Sequence, residues 1–235
     1  MHDHLQSAAE WIVDACQQVP LRVWKAAGIA AGVVVFYLSV AALISHNAFP
    51  VSGPPPSDVP HPGMMLVDRG IKTTVVLRRT ASETDGAFVE MDTVIEPDGG
   101  AGTLGSHVHP DVEERITVLE GTMVLDVEGD ERIVTAGQTA VIPRDVAHGI
   151  RNTSDRELVL RGRFEPAGDL DGYYVQVDRA GGFSTAGSVR LAVLSMYFRQ
   201  QYPGWLPVWL SKLSAQVVVP SARLVGVPAY YPPRS

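Results

Sequence analysis

The residues best suited to chemistry lie in 106–121, SHVHPDVEERITVLEG. Two histidines are separated by one residue, a pair of glutamates follows, and a β-prone run ends at Gly121. Successive side chains of an extended strand point to opposite faces, so His107 and His109 share a face. Two imidazoles on one face suit a divalent transition metal, and a nearby carboxylate adds negative charge to the same site. Glu114 has the parity of Ile116 and Val118 and so points with them into a core. Glu113 points out. Glu114 is therefore the expected carboxylate ligand, with Glu113 as the alternative. A second stretch, 137–152, reads GQTAVIPRDVAHGIRN; Gly137 and Pro143 bound a short apolar run, and His148 follows the proline.

These elements call for a scaffold of short strands, and from residue 64 the hydrophobic period is two. Ile71, Thr73, Val75 and Leu77 share one parity; Val89, Met91 and Ile95 share another; Met123 and Leu125 a third. Turn clusters at 97–100 (PDGG) and 128–131 (EGDE) separate them. Many short strands at this spacing predict an all-β antiparallel sandwich or barrel.

The two stretches together resemble the motifs of the cupins. The first cupin motif, Gly-x5-His-x-His-x(3–4)-Glu-x6-Gly, is met by His107, His109, Glu114 and Gly121, with Ala101 where the leading glycine is expected. The second, Gly-x5-Pro-x-Gly-x2-His-x3-Asn, is met by Gly137, Pro143, His148 and Asn152, with Asp145 in place of a glycine. Asp tolerates turn backbone better than most residues. The resemblance covers roughly residues 65–165. It implies a cupin-type double-stranded β-helix, a jelly-roll barrel, with one mononuclear site at His107, His109, Glu114 and His148. It also implies a homodimer. The expected cofactor is a divalent transition metal: iron, manganese, nickel, copper or zinc. Three neutral imidazoles and a carboxylate leave coordination positions open for water, dioxygen or a substrate. The absence of thiolates near the motifs excludes a four-cysteine structural zinc site.

Outside this region the composition changes. Residues 26–45, AAGIAAGVVVFYLSVAALIS, carry no charge. Twenty helical residues span about 30 Å, the thickness of the hydrocarbon core, so this stretch predicts a single transmembrane helix. A buried core helix and a cleaved signal peptide are the alternatives. Arg22 and Lys25 precede it, and no Lys or Arg follows until Arg69. That asymmetry places the N-terminus in the cytoplasm and the cupin-like region outside it. Residues 1–25, with Leu5, Ala9, Ile12, Val13 and Cys16 at helical spacing, read as a cytoplasmic amphipathic segment. His2 and His4 are an incidental repeat of the His-x-His spacing. Gly28 and Gly32 form a spacing that permits close helix packing. Residues 46–63 are a proline-rich linker, and 64–180 the barrel.

Residues 181–235 form a helical C-terminal tail, with one helix over 188–200 capped by Ser188. A second over 205–219 places Trp205, Val208, Trp209, Leu213 and Val217 near one face. That face is expected to pack on the barrel or, alternatively, to rest at a membrane interface. Arg161 and Arg163 in the late strand 157–164 face solvent or, alternatively, the barrel mouth.

The net charge of −7 and pI near 5.4 argue against nucleic acid as the main partner. One cysteine, Cys16, excludes an internal disulfide. The expected activity is that of a metal-dependent oxygenase, isomerase or lyase acting on a small molecule. The alternative is a ligand-binding module or sensor that performs no turnover. Tyr173, Tyr174 and the arginines are the further candidates for a catalytic group.

Overall fold

The computed structural model describes residues 20–48, 59–183, 189–228 and 230–231. Residues 1–19 of the amphipathic segment, with the His2/His4 pair, most of the proline-rich linker and Ser188 lie outside the described residues, while residues 21–25 belong to α1. The chain begins with helix α1 (Leu21–Ala48). Ten strands follow: β1 (Met65–Asp68), β2 (Thr73–Arg79), β3 (Val89–Ile95), β4 (His107–Val108), β5 (Glu113–Glu120), β6 (Thr122–Val127), β7 (Asp130–Thr135), β8 (Thr139–Ile142), β9 (His148–Arg151) and β10 (Leu158–Glu165). Helices α2 (Leu170–Ala180) and α3 (Val189–Phe198), the short strand β11 (Tyr202–Pro203) and helix α4 (Val208–Leu224) complete it.

The strands form two antiparallel sheets. One has six strands in the order β1-β2-β3-β10-β5-β8, the other five in the order β11-β4-β9-β6-β7. The non-sequential neighbours, β10 between β3 and β5 and β9 between β4 and β6, make a jelly-roll sandwich. The expectation of a closed barrel is corrected: among the described residues the two sheets remain separate, each with open edges.

The period-two pattern identifies the buried faces. Ile71, Val75 and Leu77 of the first run are buried, as are Val89, Met91 and Ile95 of β3 and Ile116 and Val118 of β5. At one end Ile95, Ile116, Met123, Leu125, Ile142 and Leu158 close the core. At the other, Leu77, Met91 and Phe164 join Tyr173, Leu194 and Phe198, so α2 and α3 cap the sandwich as part of one apolar core. Helix α3 lies within the expected tail and is packed, whereas α2 is a helix inside 64–180, the stretch expected to be barrel.

The second half differs from the expected packing. Trp205 lies in the turn before α4, and Trp205, Trp209, Leu213 and Val217 are exposed. The helix packs through the other stripe, where Ala215, Val219 and Ala222 meet Val193 of α3. Small residues allow that close approach, while the larger apolar side chains are left outward. Helix α1 lies beside α4, with Tyr37 Oη donating to Ser221 Oγ at 2.5 Å while Ser221 donates onward to the Val217 carbonyl. The Leu21–Ile44 stretch of α1 is long and apolar enough to cross a membrane, and only 6% of its most apolar window is buried.

Candidate metal site

The short strands β4 and β9 pair with His107 opposite His148. His109 follows two residues later, in the chain leaving β4. Across the sandwich, Glu114 opens β5, held in register by Phe164 of β10 and Ile142 of β8. The alternation of β5 sends Glu114 inward, with 5% exposure. Glu113 points outward and pairs with Arg115 at 2.6 Å. The parity argument for Glu114 over Glu113 therefore matches the side-chain directions.

The four side chains converge. Imidazole centroids are 4.3 Å apart for His107 and His148, 5.0 Å for His107 and His109, and 5.6 Å for His109 and His148. Glu114 Oε2 lies 2.8 Å from His148 Nε2 and 3.8 Å from His109 Nε2. One potential ligand atom from each of the four residues lies within 4.8 Å of the other three. Metal–ligand bonds of about 2.0–2.2 Å place opposed ligand atoms up to roughly 4.4 Å apart, so the set is close to the size a transition-metal ion needs.

Backbone carbonyls orient the rings. His109 Nδ1 lies 2.7 Å from the Gln200 carbonyl, and His148 Nδ1 lies 3.0 Å from that of Val146. Each contact requires a proton on Nδ1, which leaves Nε2 as the free donor pair in a neutral ring. His109 Nε2, His148 Nε2 and Glu114 Oε2 are buried and make no aligned hydrogen bond, although His148 and Glu114 are close enough for one. Buried polar atoms are rarely left this way, because each costs about 1–3 kcal/mol. A shared cation would satisfy all three at once. The residues present thus fit a divalent metal.

Charge state follows from burial and proximity. Burial, with His148 and His109 adding repulsion, holds His107 well below the ordinary histidine range. Burial also depresses His109, although Glu114 opposes it. For His148 burial works downward, but the Glu114 carboxylate beside it wins and raises the pKa. Glu114 behaves reciprocally: burial pushes it up, and His148 and His109 hold it down. Without a metal, His148 and Glu114 form the ion pair of the site. Metal binding would displace the imidazolium proton.

The motif residues around the site have structural duties. Asn152 is buried and donates to the carbonyls of Ile95 and Arg156 while accepting from Ser154 N, which pins the turn after β9. Asp145 has a φ of 61°, the left-handed backbone for which a glycine is usual. Its tolerance there explains why the departure from the motif leaves the turn intact. Arg161 is not at a mouth: its guanidinium grips Asp92 from the outer face, 2.7 Å from Oδ1 and 2.9 Å from Oδ2. Arg163 stacks 3.5 Å over the Phe88 ring. Tyr173 is buried in the helical core, whereas Tyr174 lines the same inner cavity as Glu114 and His107. Nothing in the local sequence signals the Gln200 carbonyl, which arrives from beyond α3.

Two cavities meet at His107. The inner one, of about 90 Å³, lies between the sheets and is walled by Leu66, Met91, Ile116, Leu160 and Phe164 together with Glu114. The outer one, of about 450 Å³, lies between β4 and the helices α3 and α4. His107, the one member of the four that is only half-buried, lines both.

A family model described as a cupin domain matches residues 93–161. Protein SchB of Streptomyces halstedii is 30% identical over 105 residues, 43% of this chain and 73% of that protein. The chain belongs to the cupin superfamily. This cupin is also 37% identical over 63 residues to the polyketide synthase CurC of Streptomyces cyaneus, which is 27% of this chain and 41% of CurC; the chain thus spans less than half of that relative. Among solved structures, the polyketide cyclase RemF from Streptomyces resistomycificus shares 25% identity at a TM-score of 0.36, covering 46% of this chain and 70% of its own. An RmlC-like cupin from Shewanella frigidimarina shares 20% identity at a TM-score of 0.37, covering 45% and 85%. The family match stops before α2, so the helices that wall one side of the outer cavity lie outside it.

Proposed function

We propose that this cupin is a membrane-anchored, metal-dependent enzyme acting on a small molecule, with His107, His109, Glu114 and His148 as the ligands of one divalent transition metal. The observation that carries the reading is the convergence of three buried ligand atoms, from His109, His148 and Glu114, beside His107. When bound, the metal would supply Lewis acidity or access to dioxygen chemistry. The chain's own residues do the rest. The carbonyls of Gln200 and Val146 hold the rings, and the apolar walls of the inner cavity exclude water. Burial, then the nearby Glu114 carboxylate, raises the pKa of the Tyr174 phenol, so it stays protonated and can donate a hydrogen bond. The alternative of a non-catalytic ligand-binding module uses the same site without turnover.

Anchoring rests on α1, whose residues 26–45 carry no charge and whose most apolar window is almost wholly exposed. In this reading residues 1–25 are cytoplasmic, 26–45 span the bilayer, 46–63 link, 64–180 form the cupin domain and 181–235 the tail, with the cupin domain extracytoplasmic. The homodimer implied by the family resemblance belongs to the same proposal and is checked by light scattering in detergent.

The test is elemental mass spectrometry of the purified full chain and of His107→Ala/His109→Ala. Near-stoichiometric iron, manganese, nickel or copper, lost in the variant, supports the site and directs the search to oxygen uptake. Equal metal in the variant refutes it. Release of protein by alkaline carbonate from the membrane fraction would refute the anchor.

A further inference from the structure

The outer cavity is walled on one side by Ala101, Gly105, Ser106 and His107 of the cupin family match and on the other by residues beyond it. Its wall from α3 and α4 contains Leu191, Ala192, Met196, Ala215 and Val218. Among the described residues, none of its lining side chains is Lys, Arg, Asp or Glu. A charge-free wall does not compensate the desolvation of a phosphate or carboxylate, so it disfavours anionic substrates. The wall is not uniformly apolar, however. Tyr202, Ser211 and Gln201 are among the lining residues, and their Oη, Oγ and Oε1 atoms are buried with no hydrogen-bond partner among the described residues. Tyr202 is 4% exposed, Ser211 7% and Gln201 9%. With Ser106, Ser195 and Ser214 they make a lining of neutral polar and apolar side chains, the complement of a mainly apolar ligand bearing hydroxyl or carbonyl groups.

The chamber's rim points to the source. Trp205 lines it and is 76% exposed, and the apolar surface continues from it along Trp209, Leu213 and Val217. That stripe is on α4, the helix against which α1 lies through Tyr37 and Ser221. Tryptophan is enriched at the headgroup level of a bilayer, and Trp205 and Trp209 stand at the end of α4 away from the Ser221 contact with α1. We propose that the outer cavity admits a neutral, lipid-soluble molecule carrying hydroxyl or carbonyl groups, taken from the bilayer past Trp205 and delivered to His107. The proposal rests on the membrane-anchor and metal-site readings for its meaning, and its test separates from both.

The full chain, stripped of metal and reconstituted in phosphatidylcholine nanodiscs, is photolabelled with a diazirine-bearing dodecanol. Labelled peptides are mapped by mass spectrometry. Label is expected on the inner stripe of α3 and α4 and around Ser106–His107. Plain dodecanol should compete and dodecanoate should not. Ala192→Trp, which fills the chamber, should remove most of this label while leaving that on the outer face of α1. Tyr202→Phe/Ser211→Ala keeps the volume and should raise the dodecanol needed for competition about tenfold, the loss of two neutral hydrogen bonds. Circular dichroism melting confirms that both variants fold. Label confined to the outer faces of α1 and α4, or unchanged by Ala192→Trp, would overturn the proposal. Equal competition by dodecanoate would overturn the neutral ligand class. Unchanged competition in the double variant would show that water alone satisfies the polar groups. Chamber label obtained from aqueous solution but not from nanodiscs would overturn the bilayer source. Failure of the chain to float with lipid would refute the anchor, and metal analysis of the unstripped chain tests the metal site separately.

Discussion

Replacing Glu114 by Gln separates the site's cost to the fold from its use for a metal. In the wild-type chain a carboxylate with 5% exposure lies 2.8 Å from His148 Nε2. Breaking a buried ion pair usually costs about 3–5 kcal/mol, because the surviving charge is stranded. Here the survivor is a histidine whose raised pKa comes from Glu114 itself. In the variant it sheds its proton near neutral pH, and no charge is stranded. The metal-free variant should therefore melt within about 1 kcal/mol of wild type. Metal reverses the comparison. At a free concentration of 100 times Kd, binding adds about 2.7 kcal/mol to the wild-type fold. The unfolding entropy of a unit the size of residues 59–183 is about 0.26 kcal/mol/K, so the melting temperature should rise by about 10 °C. An amide oxygen is a far weaker ligand. A loss of about 100-fold in affinity leaves only ~0.4 kcal/mol at the same metal concentration, a shift of about 1–2 °C. Differential scanning calorimetry of the full chain in detergent, with and without the metal that copurifies, reads all four numbers. A Glu114→Gln protein that keeps the full wild-type shift would refute Glu114 as a ligand. Loss of the shift in Glu113→Gln instead would refute the inward and outward directions of β5.

Four further outcomes are expected. The Arg161 hydrogen bonds, despite opposing burial and with Arg78 assisting, lower the Asp92 pKa. Its folded pKa thus lies below the unfolded value near 3.8, so its stabilisation is complete above that value and fades as pH falls through the folded pKa. Asp92→Asn should cost about 1–2 kcal/mol at pH 7, allowing for the partial exposure of both arginines, and the difference should shrink as pH falls through the folded pKa in urea titrations. Leu158 is fully buried in the core end remote from the helices. Leu158→Ala should lose about 3 kcal/mol by chemical denaturation, and a loss under about 1 kcal/mol would contradict the packing. Gly121 has a φ of 86°, and a Cβ there would sit 2.8 Å from the Glu157 carbonyl oxygen. Gly121→Ala should therefore destabilise by at least about 2 kcal/mol in the same assay. Asp145→Gly removes a left-handed side chain but loosens the unfolded chain. The two effects should cancel to within about 1 kcal/mol, with metal content unchanged by elemental analysis.

Much of this protein was legible before folding. Strand parity alone identifies Ile71, Val75 and Leu77, or Glu114, Ile116 and Val118, as inward, because a pleated strand alternates without regard to its neighbours. An uncharged helix-length run likewise declares α1 from composition. The His-x-His pair, the glutamate and the later histidine declare a metal-binding pattern. What they could not declare is the convergence itself. His107 meets His148 because β4 pairs β9, and Glu114 arrives from the opposite sheet. The carbonyls that select the Nε2 donors come from Gln200 and Val146, and backbone groups have no sequence signature. The fate of the arginines was open for the same reason: alternation put them on one face, and only Asp92 and Phe88 decided that they serve the outer surface. In α4 the large apolar stripe suggested the packing face, yet the small residues won it. Close approach to α3 favours Ala215 and Ala222, and burial depends on which neighbours are present as well as on how apolar a side chain is. Local pattern thus determines which way each side chain points along its own element; only the assembled sheets and helices determine what it meets there.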